Sequence, residues 1–316
     1  MTKLLLHALA KPYFYGGQAV IEGVMMRGAH TMAVAVRRTS GDIVVREERL
    51  RGLYAGPVRN IPLVRGVIVL AETLTLGMRA LIYSTNVALD DQGEREIGGG
   101  AVAATLGLSL VFIAGVFFVA PLVAVGLLDR LIDTTGSVNI VIEGALRLAM
   151  FLGYVAVIGL LPDVRRTFAY HGAEHRAIHA WENEAPLVVE QVQRFPNAHP
   201  RCGTGFLLVV MVVAIFVFAA VGDLPWWLLA TSRVALIPAI AAIAYEIVRF
   251  SAAFWRFRLV RVIFRPNLAL QSFTTRDPDD SQIEVAIVAL SAVLAADGVA
   301  QVLPWKDGAR LSPATS

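Results

Sequence analysis

Residues 101–128 read Ala-Val-Ala-Ala-Thr-Leu-Gly-Leu-Ser-Leu-Val-Phe-Ile-Ala-Gly-Val-Phe-Phe-Val-Ala-Pro-Leu-Val-Ala-Val-Gly-Leu-Leu, 28 positions without a charged side chain. A helix needs roughly 20 apolar residues to cross the hydrocarbon core of a bilayer, so this run predicts a membrane protein. The chain as a whole agrees. It is 56% hydrophobic and 17% charged, with a mean hydropathy of +0.63, whereas soluble domains carry about 25% charged residues. Working outward, three more spans are predicted: 138–161, interrupted by Glu143 and Arg147; 205–221, uncharged; and 226–248, containing Arg233 and Glu246. The link Gly222-Asp223-Leu224-Pro225 makes the last two a helical hairpin. Glu143 and Arg147, four apart, can neutralise each other on one helix face, and Arg233 can snorkel or join Glu143.

Most arginines lie outside the two loops that join spans one to two and three to four. By the positive-inside rule the N-terminal hundred residues, the 162–204 loop and the C-terminal tail are cytoplasmic. The expected location is thus the bacterial inner membrane, multi-pass, with both termini inside. Leu4-Leu5-Leu6 is too short an apolar core for a cleavable signal. Cys202 is the only cysteine, so no intrachain disulfide forms. The net charge of +3 is modest. Arg249, Arg256, Arg258, Arg261 and Arg265 alternate with Phe254, Trp255, Phe257 and Phe264, which suits membrane lipids as partners and not nucleic acid.

The expected fold class is mainly α, a polytopic protein with about four transmembrane helices, a small β-rich cytosolic N-terminal unit and a cytosolic C-terminal helix. The segments are 1–60, β-rich; 61–100, an amphipathic helix (63–89) lying on the membrane or packed against its inner face, and a linker; 101–161, spans one and two; 162–204, a histidine-rich helix and a His/Cys turn; 205–248, spans three and four; and 249–316, an interfacial segment, a loop (267–280), a helix (282–296) and a disordered tail from about Lys306. Runs 32–38 and 43–48 are β-branched and joined through Ser40-Gly41-Asp42, a hairpin signal. The stretch Gly16-Gly17-Gln18-Ala19-Val20-Ile21-Glu22-Gly23-Val24-Met25-Met26-Arg27-Gly28 has four glycines suited to tight turns, but no Walker lysine. Asp280 or Ser281 is placed to cap the last helix.

The chemistry points to residues 171–182, His-Gly-Ala-Glu-His-Arg-Ala-Ile-His-Ala-Trp-Glu. Positions three and four apart share a helix face, so His171, Glu174, His175, His179 and Glu182 form one stripe broken only by Ile178. Neutral nitrogen donors and carboxylates on a rigid backbone suit a divalent transition metal; the plain alternative is a solvated polar face. His171-Gly-Ala-Glu174-His175 also matches the H-x-x-E-H pattern of inverted zincins, with two histidine ligands and a glutamate base. In those enzymes a further glutamate ligates, a part open to Glu246 or Glu182. His199-Pro200-Arg201-Cys202-Gly203-Thr204 offers two more donors across a turn.

The candidate metal ligands are therefore His171, His175, His179, His199, Cys202 and Glu246. Glu174 is base or third ligand, and Glu22, a lone carboxylate among apolar neighbours, is a catalytic candidate unless bonded to Arg27 or a turn amide. Arg276 and Asp277 can orient a substrate, pair with each other or cap the next helix. Zinc is the favoured ion for this mixed donor set, iron and manganese also fit, and a two-metal centre remains open.

The stretch 16–28, Tyr170-His171-Gly172-Ala173-Glu174-His175, His179, the turn 199–204, Thr274-Thr275-Arg276-Asp277-Pro278-Asp279-Asp280 and Gln282-Ile283-Glu284-Val285-Ala286 together resemble the YqhQ-like bacterial membrane proteins, a family of predicted metal-dependent enzymes. The resemblance implies an integral membrane protein with a metal site. The expectation is a metal-dependent hydrolase acting on a lipid-linked or membrane-proximal substrate, compatible with a homo-oligomer. The competing expectation is a transporter or assembly scaffold whose metal is a structural clip.

Overall fold

Four strands form an antiparallel meander, each paired with the next: β1 (Gly16–Val20), β2 (Gly23–Arg27), β3 (Thr31–Arg37) and β4 (Ile43–Arg49). The structure, a computed structural model, describes residues 15–50, 61–93, 98–132, 136–222, 224–299 and 309–311. The hairpin read at 32–48 is β3–β4, turning at Gly41 with φ 92°, a backbone region that favours glycine. The glycine-bearing 16–28 stretch is the β1–β2 hairpin. β3 is buried on both faces. Ala33 and Ala35 enter one core, Val34 and Val36 another, as the two-residue period of a strand requires. β5 (Ala309–Leu311) pairs parallel with β4, a correction to the disordered tail. Leu4-Leu5-Leu6 and the remainder of the tail beyond Lys306 lie outside the described residues.

The helices are α1 (Val64–Asp91), α2 (Gly99–Ala114), which continues through a π-helical turn (Gly115–Val119) into α3 (Ala120–Ile132), α4 (Gly136–Ile158), α5 (Pro162–Glu182), α6 (Val189–Val192), α7 (Gly203–Val221), α8 (Trp226–Ala235), α9 (Ile237–Ala253), α10 (Arg258–Ile263), α11 (Arg265–Thr274) and α12 (Asp280–Ala296). The protein is mainly helical. Among the described residues four helices are long and apolar enough to cross a membrane, or five if α8 and α9, bent by 44°, count as one span. The break in the expected 226–248 span falls at Leu236, two residues before Pro238 in the first turn of α9, where the missing N–H and fixed φ favour a helix start over a continuation.

α1, one of the four helices long and apolar enough to cross a membrane, joins two parts of the fold. Near its start Arg65 is ion-paired with Glu246 of α9, and Gly66 lies against Ala242 of the same helix. Its later residues Ala80, Tyr83 and Val87 pack on the sheet with Val20, Met25, Val34, Val36 and Val44. At roughly 1.5 Å per residue its 28 residues make a strut joining the apolar helices to the sheet. The expected loop at 267–280 is largely α11, whose Asn267, Leu270, Gln271 and Thr274 are buried. These polar side chains face partners that only the folded chain supplies.

The opposite face of the sheet shares one core with α5, α6 and α12, through Val24, Met26, Tyr170, Ile178, Val192, Ile283 and Leu290 among others. α12 begins in a capping box: Asp279, not Asp280 or Ser281, accepts from the Gln282 backbone while Gln282 returns a bond to Asp279 N–H. Within the apolar bundle Glu143 meets both arginines expected near it, Arg147 at 2.5 Å and Arg233 at 3.3 Å. Arg147 Nε also donates to the Phe117 carbonyl in the π turn, at 2.9 Å.

Candidate metal centre

α5 opens with Pro162 in its first turn and Asp163 beside it, both favoured at a helix N-terminus. It runs along β1: Arg166 holds Glu22, Glu174 accepts the Gly17 N–H at 3.0 Å, and Trp181 meets Tyr15 edge-on, ring centroids 6.2 Å apart. Ala169, Tyr170, Ala173, Ala177, Ile178 and Ala180 enter the core, which rolls His171, His175 and His179 toward the segment 197–204. Ile178, the one apolar interruption of the stripe, is thus a core residue.

The stripe divides into two groups. In the first, one donor atom each of His171, His175 and Cys202 lie within 4.8 Å of one another. His171 Nδ1 is 2.8 Å from the Thr274 carbonyl, and His175 Nδ1 is bonded to the Asn197 carbonyl. A carbonyl only accepts, so in each ring Nδ1 carries the proton and Nε2 keeps a lone pair. His171 Nε2 lies 3.3 Å from Cys202 Sγ, and the thiol also meets Thr204 Oγ1 at 3.0 Å. Burial pushes the His175 pKa down, which keeps the ring neutral as a ligand must be.

The second group is His179, Glu182 and His199, in which His199 and Glu182 are already engaged and His179 keeps a lone pair on Nδ1. His179 Nε2 donates to the Ala198 carbonyl at 2.9 Å. His199 Nδ1 accepts the Arg201 N–H at 3.3 Å, so its Nε2 carries the proton and donates to Glu182 at 3.2 Å. The Arg201 guanidinium lies against the other Glu182 oxygen. Burial lowers His179 to about 4, His199 below its ordinary value and Arg201 to about 10. An arginine thus supplies the positive charge that a second ion would bring.

α11 holds the turn that carries Cys202. Gln271, fully buried, donates Nε2–H to the His199 carbonyl and accepts the His199 N–H, both at 2.8 Å. Glu174, 4% exposed, has Oε2 3.9 Å from His171 Nε2. Burial raises its pKa, against the pull of His171, His199 and the Gly17 N–H. These groups line a cavity of about 230 Å³ with Tyr15, Arg27, Thr73 and Leu76. Arg27 is itself held by Glu72 of α1 at 2.5 Å.

Other sequence candidates lie elsewhere. Glu246 is not among the histidines: it pairs with Arg65 and accepts the Leu63 N–H at 3.1 Å. Glu22, at φ 52° in the β1–β2 turn, is bonded to Arg166 and to the Tyr170 hydroxyl at 3.3 Å, so its partner is not Arg27 and it does not line the cavity. Asp277 pairs with Arg176 at 2.5 Å, and Arg276 donates to the Ser272 and Thr275 carbonyls. Arg27, Thr73, Leu76 and the carbonyls of Asn197 and Ala198 escaped the sequence reading. Nothing in the spacing of a motif reveals a carbonyl acceptor 22 residues away.

The molecule belongs to the class in which a bundle of apolar helices carries, at one end, a sheet-and-helix unit with a buried histidine–cysteine pocket. The chain is a member of the family described as a protein of unknown function, DUF1385, whose model matches residues 61–296, from α1 to the end of α12. That range holds His171, Glu174, His175, Cys202 and Gln271 but not the strand carrying Gly17. The chain is also similar to the uncharacterized protein YqhQ of Bacillus subtilis (strain 168), 34% identical over 303 residues, which is 92% of this chain and 95% of that protein. No solved structure matches.

Proposed function

We propose that this protein is a metal-dependent hydrolase of the bacterial inner membrane, with one divalent ion held by His171 Nε2, His175 Nε2 and Cys202 Sγ. The observation that carries the reading is the protonation pattern. Two backbone carbonyls fix both imidazoles with Nε2 lone pairs facing the same thiol, the outer-shell arrangement by which proteins orient metal-binding histidines. The two-nitrogen, one-sulfur donor set favours zinc. Such an ion, when bound, supplies Lewis acidity and activates water.

Glu174 is the base. One carboxylate oxygen is tied to Gly17 N–H, which fixes its direction, and burial raises its proton affinity toward that of a working base. The cavity is suited to a compact reacting group and small for an extended peptide, so a polar group on a membrane-associated molecule is the favoured substrate. The site adjoins the first residues of α7, a helix apolar enough to span, and the arginine distribution supports a cytoplasmic location for this end and both termini.

A second reading has the 3.9 Å approach of Glu174 to His171 in its favour. With Glu174 as a fourth ligand the centre is a closed clip and the protein a transporter or scaffold. Elemental mass spectrometry of detergent-purified wild type, His171→Ala, Cys202→Ser and Glu174→Gln separates these. The enzyme reading expects about one ion per chain in wild type and Glu174→Gln, and loss in the other two. Loss in Glu174→Gln as well favours the clip. Wild type without metal after reconstitution with zinc, iron or manganese overturns both.

A further inference from the structure

From residue 247 to 276 the chain has six arginines and no carboxylate. Five of them, Arg249, Arg256, Arg258, Arg261 and Arg265, are exposed. Among the described residues none of the five has an ion pair, whereas most arginines of the sheet unit do, for example Arg37 with Glu284 and Arg38 with Asp91. The unpaired charges sit among exposed apolar side chains: Phe250, Phe254, Phe257, Leu259, Val262 and Ile263. α10 has no buried residue at all. On it Arg258 and Arg261 are three apart and Leu259, Val262 and Ile263 are three and four apart, so each set clusters, with Val262 bordering Arg258 one turn away.

Two features are therefore left to be satisfied: guanidiniums without an ion pair among the described residues, although Arg249 feels Glu246 and Arg256 lies 4.9 Å from the Phe257 ring, and the exposed apolar side chains of α10. A surface apolar on one side and anionic on the other satisfies both. We propose that residues 249–265 form a docking surface for anionic phospholipid headgroups, the arginines engaging phosphates while Leu259, Val262 and Ile263 enter the acyl boundary. Arginine suits this task because its planar fork can bind phosphate bidentately, and such helices bind by apolar burial plus attraction to anionic lipid.

The surface is coupled to the pocket through α11, one continuous helix from Arg265 to Thr274. Its first residue is in the docking surface. Further along, Gln271 clamps His199 and Thr274 accepts from His171. Lipid bound at Arg265 thus fixes the seat of the helix that braces the His199–Cys202 turn. This inference does not depend on a metal occupying the pocket.

The test is native mass spectrometry of the full chain equilibrated in mixed phosphatidylglycerol and phosphatidylcholine micelles, counting retained lipids. Wild type is expected to retain phosphatidylglycerol preferentially. Arg256→Gln/Arg258→Gln/Arg261→Gln is expected to lose that preference by roughly fivefold per arginine, while the exposed control pair Arg165→Gln/Arg194→Gln keeps it. Hydrogen exchange at the His199 amide is expected to be faster in Arg265→Gln, which removes the lipid contact at the start of α11. Equal retention of both lipids by wild type, or an undiminished preference in the triple variant, overturns the docking surface. Preference for an RNA over phosphatidylglycerol micelles does the same. Unchanged exchange at His199 overturns the coupling alone.

Discussion

Gln271→Met isolates the brace of the pocket from the pocket itself. Methionine nearly matches glutamine in length and, being flexible, fills the same space. The substitution removes the Nε2–H to His199 carbonyl bond and the His199 N–H to Oε1 bond, both 2.8 Å, and leaves two backbone groups of a residue only 4% exposed without partners. Each orphaned group costs about 1–3 kcal/mol. The cavity beside His199 admits water to part of this deficit, so the lower half of the combined range applies, about 2–4 kcal/mol. In a chain of this size that is a fall in melting temperature of about 3–6 °C. The assay is thermal unfolding of the metal-free protein in detergent, so that loss of an ion does not enter the comparison. Gln271→Glu keeps the acceptor and regains a donor only when its carboxyl is protonated; in that form it should fall between methionine and wild type. A methionine variant melting within about 2 °C of wild type refutes the idea that Gln271 holds the turn.

Two further outcomes follow from single contacts. In Gly172→Ala the new Cβ would overlap the Arg276 carbonyl oxygen; the overpacking costs about 1–3 kcal/mol, against a gain of about 0.5–1 kcal/mol in helix propensity. Chemical denaturation should show a net loss of stability, with weaker metal retention as the Thr274 carbonyl moves from His171; wild-type stability would rule out the close approach. Asp279→Ala removes the side-chain cap of α12 and should cost about 1 kcal/mol at neutral pH. Burial raises the Asp279 carboxyl, but the Ser281 hydroxyl, the Gln282 N–H and Arg166 together hold it below its ordinary 3.8. Its stabilisation is therefore present above that value and lost as pH falls through the folded pKa. The gap between wild type and variant should be flat near neutrality and close only below about 3.8; a gap that widens in acid contradicts the cap.

The apolar runs, the β3–β4 hairpin and the helical stripe 171–182 were legible because each depends on a local period. Hydrophobicity over about 20 residues, alternation by two and recurrence by three and four need no knowledge of distant partners. The same logic paired Glu143 with Arg147 across one turn; Arg233, 90 residues from Glu143, was open to snorkel or to join it, and only the fold brought the two together.

What failed to be legible was whatever depends on a partner far along the chain. Glu246 looked available for a metal from its place at the end of an apolar run; Arg65, 181 residues away, takes it. Glu22 is claimed likewise by Arg166, 144 residues away. α11 read as a loop because Asn267, Gln271 and Thr274 weaken any apolar pattern, and only the His199 turn explains why those polar groups are buried. The five donors of the stripe looked equivalent on the helix, but the carbonyls of Thr274, Asn197 and Ala198 decide which nitrogen of each ring is free, and Arg201 occupies the place of a second cation. The sequence by itself determined the residue types and the helix face that present them. Tertiary structure alone decided which lone pairs meet, because hydrogen-bond partners converge in space and have no fixed spacing in sequence.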